Sequence, residues 1–354
     1  MPATLFQMLE LLIEHEASDL HLVADYPPMV RINGSLMPIQ SEQPLSGSQV
    51  QDHILQILTE EQKQRLEKDK TLDFSYQYED KGRFRINVYF QRGSLAAALR
   101  LIPIKIKTIE ELGMPKVVHQ FGQFHMGLVL VTGPTGSGKS STLAAIIQEI
   151  NQSRKEHILT IEDPIEFVYP QALATVSQRE IGQDAVDWQS AMRVTMRQDP
   201  DVILVGEMRD LETIGAALTL AETGHLVFAT LHTNSGPETV DRIIDIFPEH
   251  QQNQVRQQVA AVLRAVMAQR LIVTADGTRR VPAVEIMIKT GAVANLIREA
   301  KTHQLDSLMQ TSMGEGMMLL EAHLASLVSS GVISYEEAIK RTIRPGELER
   351  LLGK

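Results

Sequence analysis

The run Gly133-Pro134-Thr135-Gly136-Ser137-Gly138-Lys139-Ser140 follows directly on an apolar stretch, residues 127–132, and leads into a helix-forming stretch, residues 141–150. A glycine-rich loop between a buried strand and a helix leaves few architectures open. Its glycines let backbone N–H groups turn inward around phosphate oxygens, and the helix N-terminus adds positive potential. Lys139 is expected to reach the β- and γ-phosphates, and the Ser140 hydroxyl to take one position on Mg²⁺. Gly133, Pro134, Thr135, Gly136, Ser137, Gly138, Lys139, Ser140 and Ser141 are therefore the candidate nucleotide cradle. The chain is expected to bind ATP or a similar nucleoside triphosphate.

A length of 354 residues predicts about two domains. A net charge of −10, from 34 basic and 44 acidic side chains, argues against sequence-independent nucleic-acid binding. The absence of cysteine excludes disulfides and thiolate metal sites, as expected of a cytoplasmic protein. Residues 5–13 are apolar, but Glu10, Glu14 and Glu16 interrupt or follow them and no basic leader precedes them. They read as one face of an amphipathic helix rather than as an export signal. No uninterrupted apolar stretch approaches the ~20 residues of a membrane span, so direct membrane insertion is not expected.

The first hundred residues read as a small α+β module. A helix over 5–14 leads to strands at 19–23 and 29–32, with Asn33-Gly34 as a hairpin signal. A single helix is predicted over 47–68, followed by strands at 83–91 and 95–102. Residues 103–113 hold a proline, two lysines and a glycine, and read as a linker. From about residue 117 the pattern becomes strand, loop, helix, as in a nucleoside-triphosphatase core with a mainly parallel sheet. Residues 202–205 and 226–229 are short apolar runs of the kind buried on both faces. The end of the chain turns helical from about 290. The expected division is 1–102, a linker at 103–116, and 117–354.

Three further segments carry chemistry. Residues 157–166 predict a strand ending in the carboxylates Glu162, Asp163 and Glu166, with Pro164 stopping the strand. Residues 201–207 predict a second strand ending in Glu207, and residues 223–233 a third with His225 and His232 at its ends. Ligands of such sheets collect at the carboxyl ends of strands, so these groups could converge on one nucleotide. Each has a plainer reading: a lone carboxylate after a strand is often a helix cap, and a lone histidine a satisfied polar group. Arg83, Arg85, Arg92 and Arg100 form another set. Arg83 and Arg85 alternate with Phe84 and Ile86, which sends both guanidinium groups from one sheet face. They are either a solvated face or the positive charge that phosphoryl transfer requires.

These motifs resemble the secretion ATPase superfamily and, within it, the type IV pilus retraction ATPases. The resemblance rests on residues 132–140, Thr160-Ile-Glu-Asp-Pro-Ile-Glu-Phe167, Ile203-Leu-Val-Gly-Glu-Met-Arg-Asp-Leu-Glu-Thr213 and residues 221–233, together with Ala17-Ser-Asp-Leu-His-Leu22 and Gly82-Arg-Phe-Arg-Ile-Asn87. It implies an α/β protein: a PAS-like N-terminal domain, then a RecA-like core with C-terminal helices, in a ring of six subunits. By the resemblance Glu166 is the general base for water, Glu207 the Walker B glutamate beside Mg²⁺ together with Ser140, and His232 the His-box histidine. Arg85, Arg92 and Arg100 would contact nucleotide near a subunit interface.

The chain lacks the four-cysteine zinc module of many pilus-extension and secretion ATPases. The family's retraction segment, Ala-Ile-Arg-Asn-Leu-Ile-Arg-Glu, reads Ala292-Val-Ala-Asn-Leu-Ile-Arg-Glu299 here, so Ala294 replaces an arginine. Restoring that arginine is expected to leave hydrolysis alone and to strengthen retraction. The implied function is a cytoplasmic, Mg²⁺-dependent ATPase motor for pilus retraction and twitching motility. It would act on an inner-membrane platform protein, with a paralogous retraction ATPase as a further partner. The rivals are an accessory retraction paralogue, a zinc-free secretion or pilus-assembly ATPase, and a nucleotide-dependent scaffold with little turnover.

Overall fold

The structure is a computed structural model that describes residues 3–15, 17–32, 35–39, 42–79, 81–102 and 105–353. The hairpin signal Asn33-Gly34 lies outside the described residues. The chain divides into two compact units, Met1–Lys105 with Pro164–Val168, and Ile106–Asp163 with Tyr169–Lys354.

The first unit is a six-stranded antiparallel sheet with helices packed on it. Its strands are β1 (Asp19–Leu22), β2 (Met29–Ile32), β3 (Ser35–Pro38), β4 (Thr71–Tyr78), β5 (Gly82–Gln91) and β6 (Ser94–Ile102), in the order β3-β2-β1-β6-β5-β4. Helices α1 (Leu5–Glu14), α2 (Gly47–Leu55) and α3 (Glu60–Asp69) supply Leu5, Leu9, Leu12, Val50, Ile54 and Leu66 to one core with the buried residues of the sheet. The single helix expected over 47–68 is two helices. Thr59 starts α3 with a capping box, in which its side chain accepts from the Gln62 N–H and Gln62 Oε1 accepts from the Thr59 N–H. That Thr-x-x-Gln signature was readable in the sequence. Strands β3 and β4 were not anticipated.

The second unit is built on a seven-stranded sheet. Its strands are β7 (Gly127–Thr132), β8 (His157–Glu162), β9 (Thr175–Glu180), β10 (Val202–Val205), β11 (Leu226–Leu231), β12 (Leu263–Val273) and β13 (Arg280–Ile288). They run in the order β13-β12-β7-β11-β10-β8-β9, all parallel except the edge strand β13. Every residue of β7, β10 and β11 is buried, which explains their unbroken apolar runs. Helices α4 (His119–Gln123), α5 (Lys139–Ser153), α6 (Trp188–Thr195), α7 (Leu211–Glu222), α8 (Gly236–Asp245) and α9 (Glu249–Val262) accompany the sheet. The C-terminal helices are α10 (Gly291–Arg298), α11 (Leu305–Thr311), α12 (Leu320–Ser329), α13 (Tyr335–Arg341) and α14 (Pro345–Leu351). This α/β architecture agrees with the fold class expected from the sequence.

One buried carboxylate ties the C-terminal helices together. Glu321 on α12 is fully buried and accepts from Thr342 Oγ1, from the N–H groups of Ile343 and Arg344, and from Arg344 Nη1 at 3.1 Å. Arg344 also reaches Asp306 on α11 at 2.6 Å. Removing one partner of such a network strands the others. Glu321→Ala should therefore lower unfolding free energy by about 3 kcal/mol in urea titrations. A change below about 1 kcal/mol would mean that the network adds no net stability.

Candidate active site

The phosphate loop sits at the carboxyl end of β7, and Lys139 opens α5. Lys139 Nζ donates to the Gly133 carbonyl at 2.8 Å and to the Pro134 carbonyl at 3.2 Å, which folds the side chain back over its own loop. Pro134, Thr135 and Gly136 are exposed, whereas Gly133 and Ser137 are buried. Gly133 has φ +136° and Gly138 φ +89°, and a Cβ on Gly133 would lie 2.2 Å from the Gln269 carbonyl oxygen. Both the conformation and the space therefore demand glycine at these positions.

The register of the parallel ladder brings three strand ends together. Thr132 pairs with Leu231, and Val205 with Ala229, so β7, β10 and β11 end at one edge of the sheet. Glu207 and His232 follow β10 and β11 there. The Thr230 hydroxyl donates to the Gly206 carbonyl at 2.6 Å and the Met208 N–H to the Thr230 carbonyl at 3.1 Å, locking the turn that carries Glu207. Glu207 Oε1 lies 2.8 Å from His232 Nε2 and Oε2 lies 2.7 Å from Arg209 Nη2. Burial pushes the Glu207 carboxyl up, but the hydrogen bond and charge of Arg209, with His232, outweigh it and hold it below the usual range. An ionised carboxylate only accepts, so His232 Nε2 carries the hydrogen. A pocket of about 410 Å³ opens beside this pair, with Arg209, Glu238 and Arg242 on its walls.

His225 is not part of this cluster. It precedes β11, at the opposite end of a six-residue strand, roughly 20 Å away along the chain. Its Nδ1 lies 2.9 Å from the Leu220 carbonyl and 3.0 Å from Thr223 Oγ1, which is a local structural role. Glu162 is buried at the end of β8 and accepts from Thr160 Oγ1 at 2.7 Å and Gln178 Nε2 at 3.3 Å. Glu166 is exposed in Pro164–Val168, the segment that groups with the first unit.

In the first unit, Arg85 is directly opposite Arg100, Arg100 opposite Asp19, and Asp19 opposite Arg31. Asp19 Oδ1 accepts from Arg100 Nε at 2.8 Å, and its Oδ2 lies 3.5 Å from Arg31 Nε. Burial acts to raise the Asp19 carboxyl, and hydrogen bonds from Ser18 and Arg100 hold it low. One carboxylate thus sits in a row of three arginines, and the row keeps an excess of positive charge. Arg92 stands apart. With Gly93 it forms the two-residue β5–β6 turn, both at positive φ, and it is seven residues, about 23 Å, along the strand from Arg85.

The residues fit a nucleotide with Mg²⁺. The loop is a glycine cradle that a Cβ would fill, and Thr132 Oγ1 and Ser137 Oγ are buried without a hydrogen-bond partner among the described residues. Among those residues no group of three His, Cys, Asp or Glu could hold a metal ion. Mg²⁺ in nucleotide sites needs only one or two protein ligands beside phosphates and water, so Ser140 and Glu207 suffice in kind.

Residues 2–346 match the family described as type II/IV secretion system protein. The chain belongs to that family. A Pseudomonas aeruginosa protein named "Type IV pilus retractation ATPase PilT" is 47% identical over 329 residues, covering 93% of this chain and 95% of its own length. "Type IV pilus ATPase PilU" of the same organism is 36% identical over 346 residues, covering 98% of this chain and 90% of its own. A solved structure of the pilus retraction motor PilT with bound ADP superposes with a TM-score of 0.93 at 45% identity, over 98% of this chain and 99% of that one. As a secretion-family chain it carries the expected motifs, and it also holds residues that sequence reasoning missed. Arg209 lies within the 203–213 motif, which carries no local signal of its pairing with Glu207. Gln269, on β12, had no local signal at all.

The retraction-type segment lies on α10, where Val293, Ala294 and Ile297 are buried and Asn295 and Arg298 are exposed. Asn295 and Leu296 line a shallow groove of about 600 Å³ with Ser307 and Leu308 of α11. Ala294 is 3% exposed, so an arginine restored there would enter packed space rather than present a new charge. Burial at this position runs against the expectation that the arginine would strengthen retraction.

Glu285 on β13 is 1% exposed, and its Oε1 accepts from the Gly236 N–H at 2.8 Å, at the start of the helix that follows His232. Burial pushes its carboxyl up to about 7, against the Gly236 N–H and Arg344. Between the ordinary carboxylate value and about 7 the folded chain keeps a proton that the unfolded chain has lost, so stability falls as pH rises across that window. Glu285→Gln should remove this slope. It should leave stability at pH 5 nearly unchanged and raise it at pH 8 by roughly 2 kcal/mol in urea unfolding. An unaltered pH slope would show that Glu285 is ionised throughout.

Proposed function

We infer that this chain is an ATP-hydrolysing motor that powers type IV pilus retraction. The carrying observation is the convergence of the Lys139 loop, Glu207 and His232 at one edge of the parallel sheet, in a chain 47% identical to a named retraction ATPase. ATP would bind with its β- and γ-phosphate oxygens taking the Lys139 donors now given to the loop's own carbonyls. Ser140 and Glu207 would hold Mg²⁺, which would supply neutralising charge beside the phosphates. Arg209 and His232 keep Glu207 ionised and aimed. Glu166 acts as the general base that orients and deprotonates water.

The working species is a homohexameric ring. Arg85 and Arg100 meet the phosphates of a nucleotide held by a neighbouring subunit. No helix among the described residues is long and apolar enough to cross a membrane. The ring works at the cytoplasmic face of the inner membrane on a pilus platform protein, without nucleic acid, and with a paralogous ATPase as a partner. The 36% identity to PilU favours an accessory retraction role as the second reading. Deletion in the host separates the two: loss of the main motor leaves excess pili without twitching, whereas an accessory subunit leaves residual motility. A folded, hexameric protein with no ATP turnover would refute the motor reading.

Glu166→Gln should assemble and bind Mg²⁺-ATP but turn over roughly 10²-fold more slowly. Glu207→Gln should show a defect that eases as Mg²⁺ is raised. Steady-state hydrolysis at several Mg²⁺ concentrations checks both, and more than half of wild-type activity in Glu166→Gln would assign the base elsewhere.

Arg298 is exposed at the end of α10 and carries no hydrolytic chemistry. Arg298→Ala should hold ATPase activity within about threefold of wild type while impairing retraction in cells, a coupling effect of ordinary allosteric size. Equal loss of both would place α10 in the catalytic or folding machinery.

A further inference from the structure

Gln269 lies at the seventh position of β12, 2% exposed, and its amide is used at both ends. Nε2 donates to the Ser137 carbonyl at 2.7 Å, across 132 residues of chain. Oε1 accepts from Thr142 Oγ1 at 2.9 Å, in the first turns of α5. The contact is close as well as polar. A Cβ on Gly133 would collide with the Gln269 carbonyl oxygen, and one on Gly138 would lie 2.8 Å from Gln269 Nε2. Two of the loop's glycines are thus required by the approach of this one residue. The Ser137 carbonyl that Gln269 holds lies between the glycine turns whose N–H groups must face phosphate.

We propose that Gln269 is a positioning residue for nucleotide binding, whose amide holds the phosphate loop in the shape that directs its N–H groups at the phosphates. This rests on the nucleotide site proposed above. The chemistry is specific. A carboxamide can donate to the Ser137 carbonyl and accept from Thr142 at the same time, in one buried plane. A carboxylate can only accept, and it would set a negative charge against the Ser137 carbonyl and near the incoming phosphates. Protonated, the same group recovers an O–H donor while its other oxygen still accepts from Thr142. The adjacent Arg270 leaves the opposite face of β12 and donates from Nη1 to the Arg341 carbonyl at the end of α13. Gln269 therefore stands on a strand anchored from both sides.

The test is calorimetric titration of full-length wild type and Gln269→Glu with Mg²⁺-ADP between pH 6 and pH 8, with melting temperature measured without nucleotide. Failure of the wild type to bind ADP would overturn the nucleotide site itself and this inference with it. If the wild type binds, Gln269→Glu should lose about tenfold or more in affinity at pH 8, and the loss should shrink to about threefold at pH 6. Affinity within about twofold of wild type at pH 8, or a loss of equal size at both pH values, would overturn the positioning role. A purely structural residue would move the melting temperature without that pH dependence. If Gln269→Glu does not fold, Gln269→Met keeps length and removes both polar ends without charge. It should show about tenfold weaker ADP binding with a melting temperature within a few degrees of wild type. Wild-type affinity in that variant, or affinity lost only in step with stability, would also overturn the proposal.

Discussion

The parallel ladder through β12, β7, β11, β10 and β8 is the constraint on which the second unit depends. Parallel pairing requires that every connection return to the starting edge, so each strand ends on the same side and each following loop opens there. The central strands are buried on both faces, which keeps them apolar apart from Thr132 and Thr230 near the carboxyl ends of β7 and β11. Polar chemistry is thereby pushed to the residues just past each strand. Glu207 and His232 are such residues, and they lie at the same end of the sheet as the Lys139 loop because the register aligns Thr132 with Leu231 and Val205 with Ala229.

Charge is handled differently in the two units. In the second, Glu207 is shared between an arginine and a histidine, which together outweigh the cost of its partial burial. In the first, Asp19 is shared between Arg100 and Arg31, with Arg85 beyond, so the row as a whole stays positive. The arrangement in the second unit holds Glu207 low in pKa. That in the first leaves a row with net positive charge. Glu285 and Glu321 are a third case, carboxylates buried among the C-terminal helices. Glu321 is saturated by four donors, whereas Glu285 has one and holds its proton up to about 7.

Much of the fold and part of the site were legible in the residues. The phosphate loop is contiguous, so its eight residues announce both the turn and the chemistry. The all-apolar runs at 202–205 and 226–229 named buried strands because nothing else tolerates such a pattern. The break between α2 and α3 is also legible, through the Thr59–Gln62 capping box, but the apolar stripe runs across it. His225 and His232 looked alike in sequence. They differ only by which end of β11 each occupies, and strand direction relative to β7 is a tertiary fact. Arg85, Arg92 and Arg100 likewise looked like one set until strand pairing put two of them side by side and the third at a turn.

Readable from residue order alone was the chemistry held in short contiguous stretches: a phosphate loop, two candidate glutamates, a histidine, and the absence of thiols. These follow from backbone conformation and side-chain type within a few residues. Only the tertiary structure decided which distant groups share a bond. Gln269 meets Ser137 across 132 residues, Glu285 meets Gly236 across 49, and Ala294 is buried where an arginine seemed a small change. No local pattern encodes such contacts, because they arise when strands and helices pack, and the energy of each depends on burial that exists only after packing.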